Sequence, residues 1–327
     1  MNSTGIKQVA IAFLLASPLC LAGSAEAQKV YRIASLVADD QFVPSIEGFK
    51  KKMTELGYVE GKNVKYDFHN AKGDRETLKR LVEKLVQGRP DLIVTSSTTA
   101  TFPVAKATEG TYLPVVFLSA GNPLELVKSY ASSDSNLTGI TTASVDLTAK
   151  RMELLKELAP GIKRVISLNN PTGPNYKGHF TATQEAAKKL GLEIVEVNVT
   201  SGDEVKQRAD VLITRKAGDA LFLPPDAIVN AAISEISQRA IKEKLPSVAS
   251  SHPNVKRGVL ATYAADYFAL GQQGAVLVDK ILKGVRPRDL PIEQPAKLKL
   301  VINLKTAKAI GLKVPREILL RADEVIQ

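Results

Sequence analysis

Four hydroxyl residues, Ser96-Ser97-Thr98-Thr99, follow the strand-like run Leu92-Ile93-Val94-Thr95 and precede a helix-period segment. Hydroxyls and free backbone N–H groups at a helix N-terminus suit an anion such as a carboxylate. Ordinary helix capping needs one such residue, and four are present. Asp226, in Pro224-Pro225-Asp226, can pair with a ligand amine or cap the helix after it. Phe42 and Tyr263 offer aromatic rings for a wall. Equivalent positions, each just past an apolar run, hold Asp40, Ser119, Asn170, Ser250 and Asp266. None of these forms a recognised catalytic set. There is no Gly-x-Gly-x-x-Gly after a strand, no phosphate-loop lysine, no Gly-x-Ser-x-Gly and no His-Glu-x-x-His. The three histidines, His69, His179 and His252, share no ligand spacing, so no metal site and no cofactor are expected.

The elements that must position these residues alternate along the chain. Strand-like runs at Val30–Val37, Val64–Phe68, Leu92–Thr95 and Val115–Leu118 are separated by helix-period segments, such as Ile46, Phe49, Met53 and Leu56. That alternation predicts α/β layers around mostly parallel sheets, in which ligands bind beyond the carboxyl ends of strands. The order then recurs. Leu56-Gly57-Tyr58, Asp91-Leu92-Ile93-Val94 and Leu113-Pro114-Val115-Val116 are matched in order by Leu190-Gly191-Leu192, Asp219-Ala220-Leu221-Phe222 and Leu245-Pro246-Ser247-Val248. One lobe has been built twice. The join near Thr138–Thr142 has no Pro/Gly/Ser-rich linker, which predicts short crossovers and a hinge. The tail predicts a strand over Leu298–Asn303 and helical pieces over Leu304–Ile310 and Pro315–Ala322. The expected bodies are 28–140, joined by part of 264–290, and 141–263, joined by part of 291–327.

Composition narrows the class. At 327 residues, 44% hydrophobic and 24% charged, the chain is too long for one core and too mixed for a multi-span membrane protein. Its net charge of +10 is scattered among helices of both signs, so nucleic acid is not an expected partner. Residues 1–27 read as a secretory signal: Lys7, an apolar stretch from Val9 to Leu21, and Ala25-Glu26-Ala27 before cleavage. The stretch, broken by Pro18, is too short to span a bilayer. Cleavage after Ala27 removes Cys20, the one cysteine, which excludes disulfides and a thiol nucleophile from the mature chain. The expected location is the periplasm.

Several stretches resemble one family. Leu56-Gly57-Tyr58-Val59-Glu60-Gly61-Lys62-Asn63-Val64, Leu113-Pro114-Val115-Val116-Phe117, Asn136-Leu137-Thr138-Gly139, Asp279-Lys280-Ile281-Leu282-Lys283-Gly284, Asp289-Leu290-Pro291-Ile292-Glu293-Gln294-Pro295 and Val301-Ile302-Asn303-Leu304-Lys305-Thr306-Ala307 carry the likeness. The chain resembles ABC-transporter substrate-binding proteins of the branch with tryptophan- and tyrosine-binding members. The resemblance implies a type I periplasmic-binding-protein fold with two Rossmann-like lobes, three crossovers and a ligand in the cleft. Its cleft positions fall on Ser97, Thr98, Ser119, Asn170, Asp226, Tyr263 and Asp266. It implies that strand-end hydroxyls hold a ligand carboxylate and that an acid in the second lobe meets the amine.

The expected function is therefore a monomeric receptor that binds a small ligand, an aromatic or branched apolar amino acid, and presents it to the membrane permease of an ABC transporter. Another small carboxylate or a nucleoside-like ligand is the alternative cargo. The rivals are an exported hydrolase using Asp226 or Asp266, and a sugar-responsive transcription regulator, which would need an N-terminal DNA-binding domain where the signal stands.

Overall fold

The computed structural model describes Met1, residues 29–173 and residues 176–327. The expected export signal after Met1, its expected cleavage position and Cys20 lie outside the described residues.

The first lobe begins with β1 (Tyr31–Val37), α1 (Val43–Glu55), β2 (Val64–Asn70), α2 (Arg75–Gln87), β3 (Leu92–Ser96), α3 (Thr98–Ala107), β4 (Val115–Ala120) and β5 (Leu137–Thr141). Strands β3 and β4 are buried along their whole length, because helices cover both faces of a parallel sheet. Helix α2 shows how the local code is read: Asp74 caps the N–H of Thr77 at 2.6 Å, and Leu78, Val82 and Leu85 form the buried stripe.

The chain then enters the second lobe: α4 (Thr148–Leu158), β6 (Arg164–Asn169), α5 (Tyr176–Lys189), β7 (Glu193–Asn198), α6 (Gly202–Leu212), β8 (Ala220–Leu223), α7 (Ala227–Ala231), α8 (Ile233–Lys242), β9 (Ser247–Ala249), α9 (His252–Lys256) and β10 (Ala261–Ala265). It returns through α10 (Tyr267–Leu282) and β11 (Ile292–Glu293), and ends with β12 (Leu298–Asn303), α11 (Leu304–Ile310), α12 (Arg316–Arg321) and β13 (Glu324–Ile326). Two sheets result, ordered β11-β5-β4-β3-β1-β2 and β13-β12-β10-β9-β8-β6-β7. All pairings are parallel except β10 with β12. The last strand, β13, was not expected: three residues are too few to show alternation, and its place at the sheet edge comes from pairing with Val301–Asn303.

Helix α10 follows a strand of the second sheet yet packs on α1 of the first. The approach is backbone to backbone, since a Cβ on Gly271 would lie 1.8 Å from the Ser45 carbonyl oxygen. The chain therefore crosses between lobes three times, from β5 to α4, from β10 to α10 and from β11 to β12.

The repeat seen in the sequence is also a repeat of contacts. Gly57 and Gly191, each after a helix and before an edge strand, both take positive φ, +93° and +64°. The Asp91 carboxylate accepts the Arg32 N–H at 2.8 Å, and the Asp219 carboxylate accepts the Arg164 N–H at 2.9 Å. Each arginine then donates to the carbonyl three residues before its aspartate, Gly88 or Lys216. The same clamp ties neighbouring parallel strands at the same end of both sheets.

Candidate ligand-binding cleft

The carboxyl ends of both sheets face one cleft of about 620 Å³, counting its open mouth. Its first-lobe wall is built at the β3–α3 junction. Ser97 has φ +98° and ψ 150°, a region that nearly excludes side-chain-bearing residues. Its hydroxyl caps α3 by accepting the Ala100 N–H at 3.0 Å, and its own N–H donates to Ser119 Oγ at 2.9 Å. Ser119 Oγ is 2.7 Å from Ser96 Oγ, which accepts from Ser45 Oγ at 2.8 Å. Thr98 Oγ1 accepts the Gly121 N–H at 2.8 Å, tying the β4 loop to the same wall. The first N–H groups of α3 have no helical acceptor, and Thr98 and Thr99 of that first turn line the opening.

The second-lobe wall carries Asp226. One carboxylate oxygen accepts the N–H groups of Ile228 and Val229, and the other accepts Asn170 Nδ2 at 3.1 Å. Burial pushes this carboxyl above the ordinary aspartate range, against the lowering effect of those donors. Asp39, on the first lobe, is likewise raised by burial while accepting from Gln41. Ser250 Oγ, at the cleft surface of the second lobe, is buried and has no hydrogen-bond partner among the described residues. The aromatic wall is the pair Phe42 and Tyr267, centroids 5.1 Å apart.

At the base lies Arg151, only 1% exposed. Nε donates to the Tyr263 carbonyl at 2.8 Å and Nη1 to the Ser144 carbonyl at 2.9 Å. Burial lowers its pKa to about 10, so it stays charged. No carboxylate lies within ion-pair distance of it among the described residues. No group of three His, Cys, Asp or Glu able to hold a metal ion occurs among them either.

Of the residues singled out from sequence, Phe42, Ser97, Thr98, Ser119, Asp226 and Ser250 line the cleft. Five do not. Asp40 points to solvent and pairs with Lys72 at 2.5 Å, because the turn after β1 directs the preceding Asp39 inward instead. Ser96, at the end of β3, lies behind the wall and supports Ser119. Asn170 holds Asp226 in place. The Tyr263 ring packs into the second lobe's core, and only its carbonyl serves the site, through Arg151. Asp266 caps α10 and pairs with Lys299 at 2.5 Å. Asp39, Gln41, Arg151, Ser251 and Tyr267 were missed. Arg151 did leave a signal, since it stands in the apolar stripe of α4 with Leu154, Leu155 and Leu158, where a charge needs a reason.

Cleft residues from the two lobes touch. Ser251 Oγ donates to Gln41 Oε1 at 3.1 Å, so the lobes are closed on each other. Solved structures agree with that reading. The chain is similar to an ABC domain in complex with L-Trp from Streptococcus pneumonia, with 27% identity, TM-score 0.84, and coverage of 91% of this chain and 100% of that one. Against the ligand-free, open structure of a substrate binding protein with adhesive properties from Clostridium difficile, at 28% identity and the same coverages, the TM-score is 0.69. Nearly equal identity with a lower score is what a different lobe arrangement produces. A tyrosine-binding protein from Clostridioides difficile is 30% identical over 289 residues, 88% of this chain and 82% of that relative. The model of the ABC transporter substrate binding protein family matches residues 31–326, nearly every residue of both lobes and all three crossovers, and this chain belongs to that family.

Proposed function

We propose that the ligand closed into this cleft is an aromatic L-amino acid, delivered to the permease of an ABC importer. Proteins of this family bind small solutes for such permeases and are not enzymes, which disfavours the hydrolase reading. The observation that carries the ligand class is the opposition of two walls: Ser97, Thr98 and the α3 N-terminus line one side of the closed cleft and Asp226 the other. An anion belongs on the first wall and an ammonium on the second. The zwitterionic end of an amino acid supplies both, and the Phe42–Tyr267 pair supplies a surface for an aromatic side chain. The relatives named for tyrosine and crystallised with L-Trp support the same class.

A thermal-shift screen of the twenty amino acids, nucleosides and small carboxylates tests this. Tryptophan or tyrosine is expected to raise the melting temperature most. A panel without response, or one led by nucleosides, overturns the assignment. Family members work outside the cytoplasm; for this chain we propose a periplasmic monomer cleaved after Ala27, with no nucleic-acid partner. N-terminal sequencing and light scattering of the exported protein test those points.

A further inference from the structure

We propose that Arg151 couples the ligand's charge to the hinge: its free Nη2 takes a carboxylate oxygen of the ligand while Nη1 holds the β5–α4 crossover and Nε holds β10, the strand that leads into the second crossover. The inference rests on the zwitterionic-ligand reading above, and adds a residue and a linkage to it.

The crossovers are the reason. Ser144, whose carbonyl and hydroxyl accept from Nη1 at 2.9 and 3.2 Å, lies in the segment joining β5 to α4. Tyr263, whose carbonyl accepts from Nε at 2.8 Å, lies in β10, three residues before Asp266 caps the start of α10. One planar guanidinium therefore bonds the backbone of the first crossover and of the strand that leads into the second. Its donors are fixed in a fork, so moving one relative to the other breaks a bond or turns the plane.

The third corner of the fork is unused. Nη2 has no hydrogen-bond acceptor among the described residues, although Arg151 lines the cleft. A buried cation without a counter-ion is costly and is retained where something completes it. The neighbours do not. His179, close enough to feel the guanidinium, is neutral, and Tyr267 is a phenol whose ionisation burial opposes. Asp39 and Asp226 line the same cleft, and neither is ion-paired with the guanidinium. What is missing is an anion that arrives and leaves, which a ligand carboxylate is. When it binds Nη2, the plane that suits it also sets the two carbonyls, so the closed arrangement and the occupied site favour each other.

The test titrates the full chain with L-tryptophan, L-tyrosine and their carboxamides, in the wild type, Arg151→Met and Arg151→Lys. Small-angle scattering is recorded with and without ligand. The wild type is expected to prefer the acids over the carboxamides by about 30-fold or more. Arg151→Met is expected to bring that preference within about threefold and to contract less at saturation. Arg151→Lys keeps a charge but not the fork, so it retains part of the preference and loses the contraction. It carries the test if the methionine variant does not fold. An unchanged preference in Arg151→Met, or full contraction in Arg151→Lys, overturns the proposal. If the wild type binds neither amino acid, the ligand reading fails, and the hinge role is read from the ligand-free proteins. The variants should then show a larger radius of gyration than the wild type, and equal radii overturn it.

Discussion

Gln41 and Ser251 stand 210 positions apart in sequence and join across the cleft, Ser251 Oγ donating to Gln41 Oε1 at 3.1 Å. It is a bond between the lobes rather than within either, so it exists only when they are closed. Gln41 is itself positioned by Asp39, which accepts its N–H at 2.9 Å and its side-chain amide at 3.2 Å.

Removing this bond should shift the population toward the open form. Ser251→Ala is expected to cost the closed state about 1 kcal/mol, weakening ligand affinity about fivefold and mainly raising the dissociation rate. Stopped-flow kinetics check this. An affinity change confined to the association rate would show that the bond is not a feature of closure.

The strained Ser97 backbone separates two effects of one residue. Ser97→Ala loses the helix cap and keeps the strain, so it should lose about 1 kcal/mol of stability. Ser97→Gly loses only a few tenths from the cap and relieves strain of about 1–3 kcal/mol, so it should equal or exceed the wild type. Urea denaturation compares them. Both variants should bind ligand about tenfold more weakly, since the hydroxyl is lost in each.

Asp226 carries a pH dependence of binding. Its carboxyl is raised by burial, so acidification protonates it before an ordinary aspartate, and a protonated acid no longer attracts an ammonium. Affinity for an amino acid should be full near neutral pH and fall as pH drops toward that raised value. Asp226→Asn should bind about 100-fold more weakly at pH 7 and show a flatter profile. Calorimetry at several pH values measures both.

His179 carries a pH dependence of stability. It is 2% exposed, its Nε2 has no partner among the described residues, and burial followed by the Arg151 charge takes its pKa from 6.5 to about 3. A depressed value means that the unfolded chain takes up the proton first. The stabilisation is thus complete above 6.5 and is lost as pH falls toward 3. Relative to His179→Leu, the wild type should lose about 1.4 kcal/mol per pH unit across that window. Parallel slopes for the two proteins would show that the imidazole is solvated.

How far the fold could be read in advance varies with the signal. Leu56-Gly57-Tyr58 and Leu190-Gly191-Leu192 announce the duplication, because a helix stop needing positive φ leaves a glycine at a fixed place. Asp91 and Asp219 announce it again, as the strand clamp needs a carboxylate there in each copy. Short and edge-held β13 left no such mark.

The cleft was legible where position along a strand is enough. A residue just past a parallel strand faces the opening, which brought out Ser97, Thr98, Ser119, Asp226 and Ser250. Choice between neighbours was not legible. Asp39 and Asp40 are adjacent and chemically alike, and only the turn after β1 sends one carboxylate inward and the other to Lys72. Tyr263 and Tyr267 are one residue type four positions apart, yet a strand turns the first into the core and the crossover turns the second to the cleft.

The amino-acid sequence by itself determined the alternation of strands and helices, the duplicated lobe and the hydroxyl wall, because periodicity, capping and turn chemistry act over a few residues. The tertiary structure alone decided which lobe α10 joins, that Gln41 meets Ser251, and that Arg151 reaches the Tyr263 carbonyl and the ligand space at once. Those relations span more than a hundred residues and depend on how two finished sheets are set against each other, a matter of packing that no local pattern records.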